Sequence, residues 1–298
     1  MKNDALTNFH DAMLSVGLVP PHTIQPGKMH RFPGIGKTKS NRSGWCIFFE
    51  DGLGGCFGDW SAGLSETWQA ERSTPLSAQE QQQIALMVTA AKAKADREKL
   101  SIHQKAAAEV RGRWKRAQPE LGDHAYLKCK GILPYGTRKE AYFLLVPVQI
   151  DGELTSLQAI APDGQKRFHP GGRIKGAHFI IGELTNAPKL LITEGFATGA
   201  TLHQESSLPV VVAFNSGNLK PVAQTLRKRF AGEIVICGDN DLFTPGNPGK
   251  AAAIEAAKAI GASWVIPDFT GLNAGPKDTD FNDLARLVKQ RNEKGSRS

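Results

Sequence analysis

The chain has 298 residues, 40% of them apolar, with 37 Lys and Arg against 29 Asp and Glu and a formal charge of +8. That length exceeds one typical domain and predicts two or three compact units with cores of ordinary size. The four cysteines (Cys46, Cys56, Cys129 and Cys237) include no C-x-x-C pair, which argues against a zinc site or a disulfide framework; with no signal peptide and no apolar run of membrane length, a soluble cytoplasmic protein is expected.

Positive charge is gathered in two places. Between Gly27 and Phe49 five basic residues (Lys28, Arg31, Lys37, Lys39, Arg42) meet no acid, and from Lys92 to Arg116 nine Lys or Arg face three acids. Such clustering suits a polyanionic partner, because each neutralised phosphate releases condensed counterions; a solvated basic face is the plainer alternative. A short helix is expected from about Leu6 to Val16, followed by a small β-rich module. Ser43 to Phe49 reads as a strand, Asp51-Gly52 as its turn, and Cys56 to Trp60 as the returning strand. Phe32, Trp45, Phe48, Phe57, Trp60 and Trp68 interleave with the basic stretch, as in platforms for single-stranded nucleic acid, although so small a module also needs rings for its core. Thr74-Pro75 opens a new composition, and Ser77 and Glu80 have capping-box spacing. Ala78 to about Arg116 reads as one long polar helix or two in line, too weakly apolar for a core helix and expected to span two domains.

Pro119 ends that helix, and a second module begins near His124. Phe143 to Ile150 and Leu154 to Ile160 form a hairpin about Asp151-Gly152. Turns at Asp163-Gly164 and Gly171-Gly172 then carry the chain past Lys166-Arg167-Phe168 to Arg173 and Lys175, basic residues at hairpin tips that suit phosphates. From Pro188 onward strands alternate with helices. The strands run from Lys189 to Thr193, Val210 to Phe214, Glu233 to Gly238 and Trp264 to Pro267; the helices run from Ala197 to Glu205, Leu219 to Phe230, Pro248 to Ile260 and Asp280 to Arg291. This alternation builds a parallel sheet with right-handed crossovers. The tail from Asn292 to Ser298 is expected to fray.

Two of these apolar strands run straight into acids: Leu190-Leu191-Ile192-Thr193 into Glu194-Gly195, and Ile234-Val235-Ile236-Cys237-Gly238 into Asp239-Asn240-Asp241. Carboxyl ends of strands are the ligand-binding edge of an open α/β sheet. Carboxylates gathered there form a hard-oxygen site of the kind that holds Mg²⁺ against phosphates. A third cluster, Asp278, Asp280 and Asp283, follows the fourth strand. Taken alone, Glu194-Gly195 is a weak signal, and the other two clusters also read as ordinary helix capping.

In combination the motifs are specific. LLITEGFATGATL from Leu190 to Leu202, IVICGDND from Ile234 to Asp241 and DTDFNDL from Asp278 to Leu284 resemble the TOPRIM domain shared by bacterial-type primases, topoisomerases and some nucleases. Ala213 to Leu219 (AFNSGNL), Asn247 to Ala252 (NPGKAA), and Tyr126-Leu127 with Lys130-Gly131-Ile132 upstream make the chain most similar to primases of conjugative plasmids and related phage-like elements. The match runs from about Asp123 to Val288.

The resemblance implies an α/β fold: a TOPRIM-type parallel sheet flanked by helices, preceded by an α+β basic hairpin module and a small β-rich N-terminal module joined by a long helix. The corresponding divisions are a ribbon-like template-binding module without zinc-ligand spacing (1–72), a polar helical linker (73–118), a primase-core N-terminal subdomain (119–187) and a TOPRIM catalytic domain (188–298). The implied activity is that of a DNA primase, making short RNA primers on single-stranded DNA from ribonucleoside triphosphates by metal-dependent nucleotidyl transfer with Mg²⁺ or Mn²⁺. Carried over residue by residue, Glu194 is the acid of the first TOPRIM strand, serving as ligand or as base. Asp239 and Asp241 are paired metal ligands, and Asp280, with Asp278 or Asp283, completes the acidic patch. Thr198 stands where replicative primases often carry another acid. Lys166, Arg167, Lys175 and Lys250 are expected to neutralise nucleotide phosphates, and Lys28, Arg31, Lys37, Lys39, Arg42, Trp45 and Trp60 to hold template. Bacterial primases usually begin with a zinc ribbon; His30, Cys46 and Cys56 do not supply four ligands at its spacing, so zinc is not expected. The implied partners are a replicative helicase or conjugation and replication proteins, with no membrane. The rival readings are a TOPRIM nuclease, which needs the same acids, and a non-catalytic single-stranded-DNA-binding protein.

Overall fold

The computed structural model describes residues 2–71 and 76–295, so the Thr74-Pro75 junction lies outside it. Two compact units, residues 1–101 and 102–298, divide the chain, and the boundary falls inside one continuous helix. Among the described residues no helix is long and apolar enough to cross a membrane.

The first unit opens with α1 (Lys2–Ser15) and continues as an antiparallel sheet of β1 (Met29–Phe32), β2 (Gly44–Phe48), β3 (Gly54–Asp59) and β4 (Leu64–Gln69), paired in that order. The expected central hairpin is present, and two outer strands that lack a run of apolar residues flank it. Strand alternation sorts the rings. Phe32, Cys46, Phe48 and Phe57 pack with Phe9 and Met13 of α1 on one side. Trp45, Ile47, Phe49 and Cys56 meet Ala91 and Ala95 on the other. Close approach of α1 depends on Gly55, where a Cβ would lie 2.6 Å from the Phe9 ring.

Ala91 and Ala95 belong to α2 (Ala78–Arg116), whose capping box forms as expected, Ser77 Oγ and backbone N–H donating to the Glu80 carboxylate. The expectation that α2 is too polar for core packing is corrected. Ala91, Ala95, Ala106 and Val110 are all buried, spaced one turn apart within each unit. Alanines register weakly on hydropathy, yet their small side chains let a backbone sit close on a neighbouring surface.

The second unit takes in the end of α2, then β5 (Gln118–Pro119), α3 (Ala125–Lys130), β6 (Arg138–Glu140), β7 (Phe143–Ile150), β8 (Glu153–Ile160) and β9 (Lys166–Phe168). These five strands pair antiparallel in chain order. Next come β10 (Phe179–Ile181), β11 (Lys189–Thr193), α4 (Phe196–Ser206), β12 (Val210–Val212), α5 (Ser216–Arg227), β13 (Glu233–Cys237), α6 (Pro248–Lys258), β14 (Ser263–Val265) and α7 (Phe281–Gly295). The second sheet has the order β10-β12-β11-β13-β14. Four strands are parallel as expected, but β10 closes the edge antiparallel to β12. No strand is expected there from the sequence, although β10 equals β12 and β14 in length. The tail also departs from expectation, because α7 continues to Gly295.

Helices α5 and α6 cover one face of this sheet through Leu219, Val222, Ala253 and Ala256. The other face carries Leu191, Val210 and Val212, which share a core with Phe196 and Ala200 of α4 and with Leu144, Val146 and Val148 of β7. The two sheets of this unit are thereby fixed to one another, which sets the basic hairpins against the carboxyl edge of the parallel strands.

Candidate active site

Strands β11 and β13 are direct parallel neighbours, with Thr193 opposite Cys237. The next residues on each, Glu194 and then Gly238-Asp239, therefore leave the sheet side by side. The Asp239 backbone N–H faces Glu194 and draws its pKa down against larger upward effects. Glu194 Oε1 is buried with no partner, and so is Asp239 Oδ1. Burial, then the neighbouring Asp241 charge, pushes Glu194 up to about 7. Burial, then the charges of Glu194, Asp280 and Asp241, pushes Asp239 up to about 8, with Lys166 pulling the other way. Two desolvated carboxylates facing like charges are costly to ionise, so the site favours a cation between them.

The loop after β13 is built to hold this crowding. Asn240, buried, donates to the Pro267 carbonyl at 2.9 Å and accepts from Asn247 Nδ2 at 2.8 Å. Asn247 caps α6 from a left-handed conformation (φ 43°) and also accepts from the Asp241 N–H. The Asp241 carboxylate accepts the Gly249 N–H at 2.9 Å, so the helix N-terminus rests on it. Any side chain at position 249 would collide with this loop, since a Cβ there would lie 2.8 Å from the Asp239 carbonyl and 2.9 Å from Asp241 Oδ2.

The third cluster divides. Asp280 points to the centre, accepting from Thr198 Oγ1 at 3.1 Å and adding its charge to the field at Asp239. Asp283 closes a reciprocal cap: it accepts from the Thr279 N–H while its own N–H donates to Asp280, and its other oxygen lies 3.5 Å from Lys130 Nζ. Asp278 accepts the Gly275 N–H and pairs with Arg286. Four of the six predicted acids thus converge, namely Glu194, Asp239, Asp241 and Asp280, while Asp278 and Asp283 are engaged in holding the start of α7.

Among the described residues, no three His, Cys, Asp or Glu side chains are drawn close enough to form a ready metal shell. The donor chemistry nevertheless fits a hard divalent cation. Two buried oxygens lack partners, all donors are carboxylates, and both pKa values are raised by burial first and by neighbouring negative charge second, costs that a cation would offset.

Of the predicted basic residues, Lys166 reaches this centre. As a residue it is exposed, but its ammonium is hemmed in: burial lowers its pKa, opposed first by Asp280. It stands 5.8 Å from the Tyr126 ring centroid. Arg167 is the next residue on β9 and faces the opposite side, as strand alternation requires. Lys175 is exposed on a loop that Asn218 clamps, accepting from the Gly176 N–H at 2.7 Å and donating to the Ala177 and Ala213 carbonyls at 2.8 Å each. Lys250 lies over the Trp264 ring at 5.9 Å.

In the first unit Lys28, Lys37, Lys39 and Arg42 are exposed. Arg31 lies 3.9 Å over the Trp60 ring and pairs with Glu98 at 3.2 Å, so each engages the other. Trp45, expected to hold template, is 2% exposed and packs in the core against Ala91 and Ala95, which corrects that role: no face of its ring is open for stacking.

The sequence places Asn218, Asn247 and Gly249 inside recognisable motifs and Asp59 on a strand, but assigns none of them a role. All four act through hydrogen bonds or close approach between distant segments, and single-sequence patterns carry no signal for those. The AFNSGNL and N-P-G motifs are the visible hints.

Residues 189–290 match the Toprim domain family. Over 288 residues the chain is 33% identical to the DNA primase TraC of Escherichia coli, covering 91% of this chain and 27% of that protein. A second Escherichia coli DNA primase TraC is 31% identical over 297 residues, covering 91% and 20%. The chain therefore spans between a fifth and about a quarter of the length of these curated relatives. Among solved structures, the DnaG primase catalytic domain bound to ssDNA aligns over 66% of this chain and 78% of its own, with 12% identity and a TM-score of 0.44. The Aquifex aeolicus primase, with its zinc-binding and RNA polymerase domains, aligns over 97% and 85%, with 13% identity and a TM-score of 0.40.

Proposed function

We propose that this chain is the catalytic portion of a DNA primase, a DNA-directed RNA polymerase that joins ribonucleotides on a single-stranded DNA template. One observation carries the reading. Glu194 and Asp239, on adjacent parallel strands within the Toprim match, each keep a buried carboxylate oxygen unpaired, in a chain related over 91% of its length to DNA primase TraC. Unsatisfied buried acids are costly and cluster where chemistry needs them.

In this reading Glu194, Asp239, Asp241 and Asp280 would hold Mg²⁺ or Mn²⁺. When bound, such a cation supplies charge neutralisation to the triphosphate and to the departing pyrophosphate. The chain's own groups do the remaining work. Asn240, Asn247 and Gly249 fix the Asp239–Asp241 loop, and Thr198 orients Asp280 by donating to it. Lys166 places a positive charge beside the acids, where it would meet the nucleotide phosphates, with Arg167, Lys175 and Lys250 more peripheral. Glu194, poised near neutrality, stands where it can hold a cation or receive the proton of the attacking 3′-hydroxyl. The N-terminal β module would hold template through Lys28, Lys37, Lys39 and Arg42, Arg31 and Trp60 bracing its surface, and α2 would link it to a core subdomain (119–187) and a catalytic domain (188–298). A cytoplasmic setting with a replicative helicase or conjugation proteins follows from the same reading.

The test is incubation of the chain with single-stranded DNA, Mg²⁺ and labelled ribonucleotides. New short RNA is the expected product. Shortened DNA without new RNA would assign a nuclease instead, and binding without turnover, unaffected by EDTA, a passive DNA-binding protein.

A further inference from the structure

We propose that Tyr126 is a positioning residue of the acidic centre: its hydroxyl donates to the Asp280 carboxylate when a divalent cation occupies the centre, and so fixes how Asp280 presents its oxygens. The inference rests on the cation-holding reading given above.

Tyr126 is 4% exposed, and its hydroxyl is buried with no hydrogen-bond partner. The ring alone would fill the core it shares with Leu127, Ile132 and Val146, so packing does not explain the hydroxyl, and an unsatisfied buried polar group is costly. The charges acting on it locate it. Burial raises its pKa first, followed by Asp280, Cys129 and Asp283, which keeps the hydroxyl protonated and able to donate. Lys166 Nζ stands 5.8 Å from the ring centroid, and the same Nζ lies 4.0 Å from where a Cβ on Gly195 would be, next in the chain to Glu194. Tyr126 thus borders the centre that Lys166 and Asp280 face.

The short helix α3 that carries Tyr126 is tied down at both ends. The Tyr126 N–H donates to the ring of the capping His124 at 3.2 Å, and the His124 N–H is held by Glu120 at 3.0 Å. At the other end the buried Asn282 donates from Nδ2 to the Lys130 carbonyl at 2.8 Å, and Lys130 Nζ lies 3.5 Å from Asp283. Asn282 and Asp283 form the first turn of α7, directly after Asp280, so Tyr126 and Asp280 keep a set relation.

Asp280 has room for another donor. Its Oδ2 accepts from Thr198 Oγ1 at 3.1 Å and its Oδ1 from the Asp283 N–H at 2.9 Å. An ionised carboxylate offers about four acceptor positions, which leaves capacity for a cation and for the Tyr126 hydroxyl together. A donor of this kind orients a ligand without touching the ion, and its loss weakens metal binding.

The test uses the whole metal-free chain, with Mn²⁺ calorimetry, thermal melts and primer synthesis on the same preparations. Tyr126→Phe is expected to melt in EDTA at or above the wild-type temperature, because an unsatisfied hydroxyl has gone, yet to bind Mn²⁺ about tenfold more weakly. Its primer synthesis should fall at limiting Mn²⁺ and recover when Mn²⁺ is raised about tenfold. A hydroxyl with a merely structural role would lower the melting temperature in EDTA when removed and leave Mn²⁺ affinity within about twofold of wild type; either result would overturn the proposal. If the wild type binds no Mn²⁺, the cation reading falls and this inference with it, whereas equal binding by wild type and Tyr126→Phe removes the inference alone. A wild-type chain that shows the Tyr126 dependence but makes no primer leaves Tyr126 in place and removes the polymerase reading.

Discussion

Two buried acids, one in each unit, meet opposite fates. Asp59 ends β3 with no exposed surface, and burial by itself would raise its pKa. Hydrogen bonds from the Ser61 hydroxyl and the Ile35 and Ser61 amides, with the Ser43 hydroxyl nearby, outweigh burial, and the net shift is downward. Ser61 donates twice, at 2.8 Å from each of its groups, and the Ile35 N–H donates at 2.9 Å. Asp239 also follows a strand and is desolvated, but meets three other carboxylates and is pushed up to about 8. A satisfied acid is an architectural part; here Asp59 ties the exposed Lys37–Arg42 loop to the sheet. An acid left unsatisfied at a sheet edge marks a place reserved for a positively charged guest.

The largest effect that can sharpen this contrast is on turnover. Asp239→Asn should lower primer synthesis by more than about 100-fold, the scale of a lost charge-stabilising group, while the metal-free melting temperature holds or rises because a repulsive charge has gone. A fall in both would mean that Asp239 is structural, like Asp59. Next is Asp59→Ala, expected to destabilise the first unit by about 3 kcal/mol because several buried donors lose their acceptor. Denaturant unfolding would report it, with Asp59→Asn recovering part. Smaller is Asn218→Ala, which removes three hydrogen bonds, two of them to the loop bearing Lys175 and one to Ala213. A loss of about 2 kcal/mol in stability is expected, with a raised KM for ribonucleotides and little change in kcat.

The last prediction concerns pH and has opposite signs in the two regions. Asp59 is depressed in the fold, so the stability it contributes is present above its unfolded pKa and is lost on acidification through the folded value. Glu194 and Asp239 are raised, so in EDTA their contribution is fullest below the unfolded value of about 4 and declines as pH climbs to about 7 and 8. Thermal melts of Glu194→Gln/Asp239→Asn against wild type should diverge between those limits. Parallel curves across that range would contradict the raised values.

The site was legible where chemistry coincides with local pattern. Apolar strands ending in Glu-Gly or Asp-Asn-Asp carry their meaning within a few residues, and the parallel pairing of β11 with β13 then brings Glu194 to Asp239. What stayed hidden depends on distant partners. Whether Asp283 faces the centre or caps its own helix turns on Lys130, 153 positions away. Trp45 looked available because it sits among basic residues, yet its burial is decided by alanines of α2. The packing of α2 rests on alanines that hydropathy discounts.

The most direct measurement is Mn²⁺ binding by calorimetry to the metal-free chain at pH 6 and pH 8.5, on either side of the raised pKa values of about 7 and 8. The account predicts binding that tightens with pH in the wild type and is lost in Glu194→Gln/Asp239→Asn. Equal affinity for Mn²⁺ in the wild type and the double variant, or none in either, would contradict it.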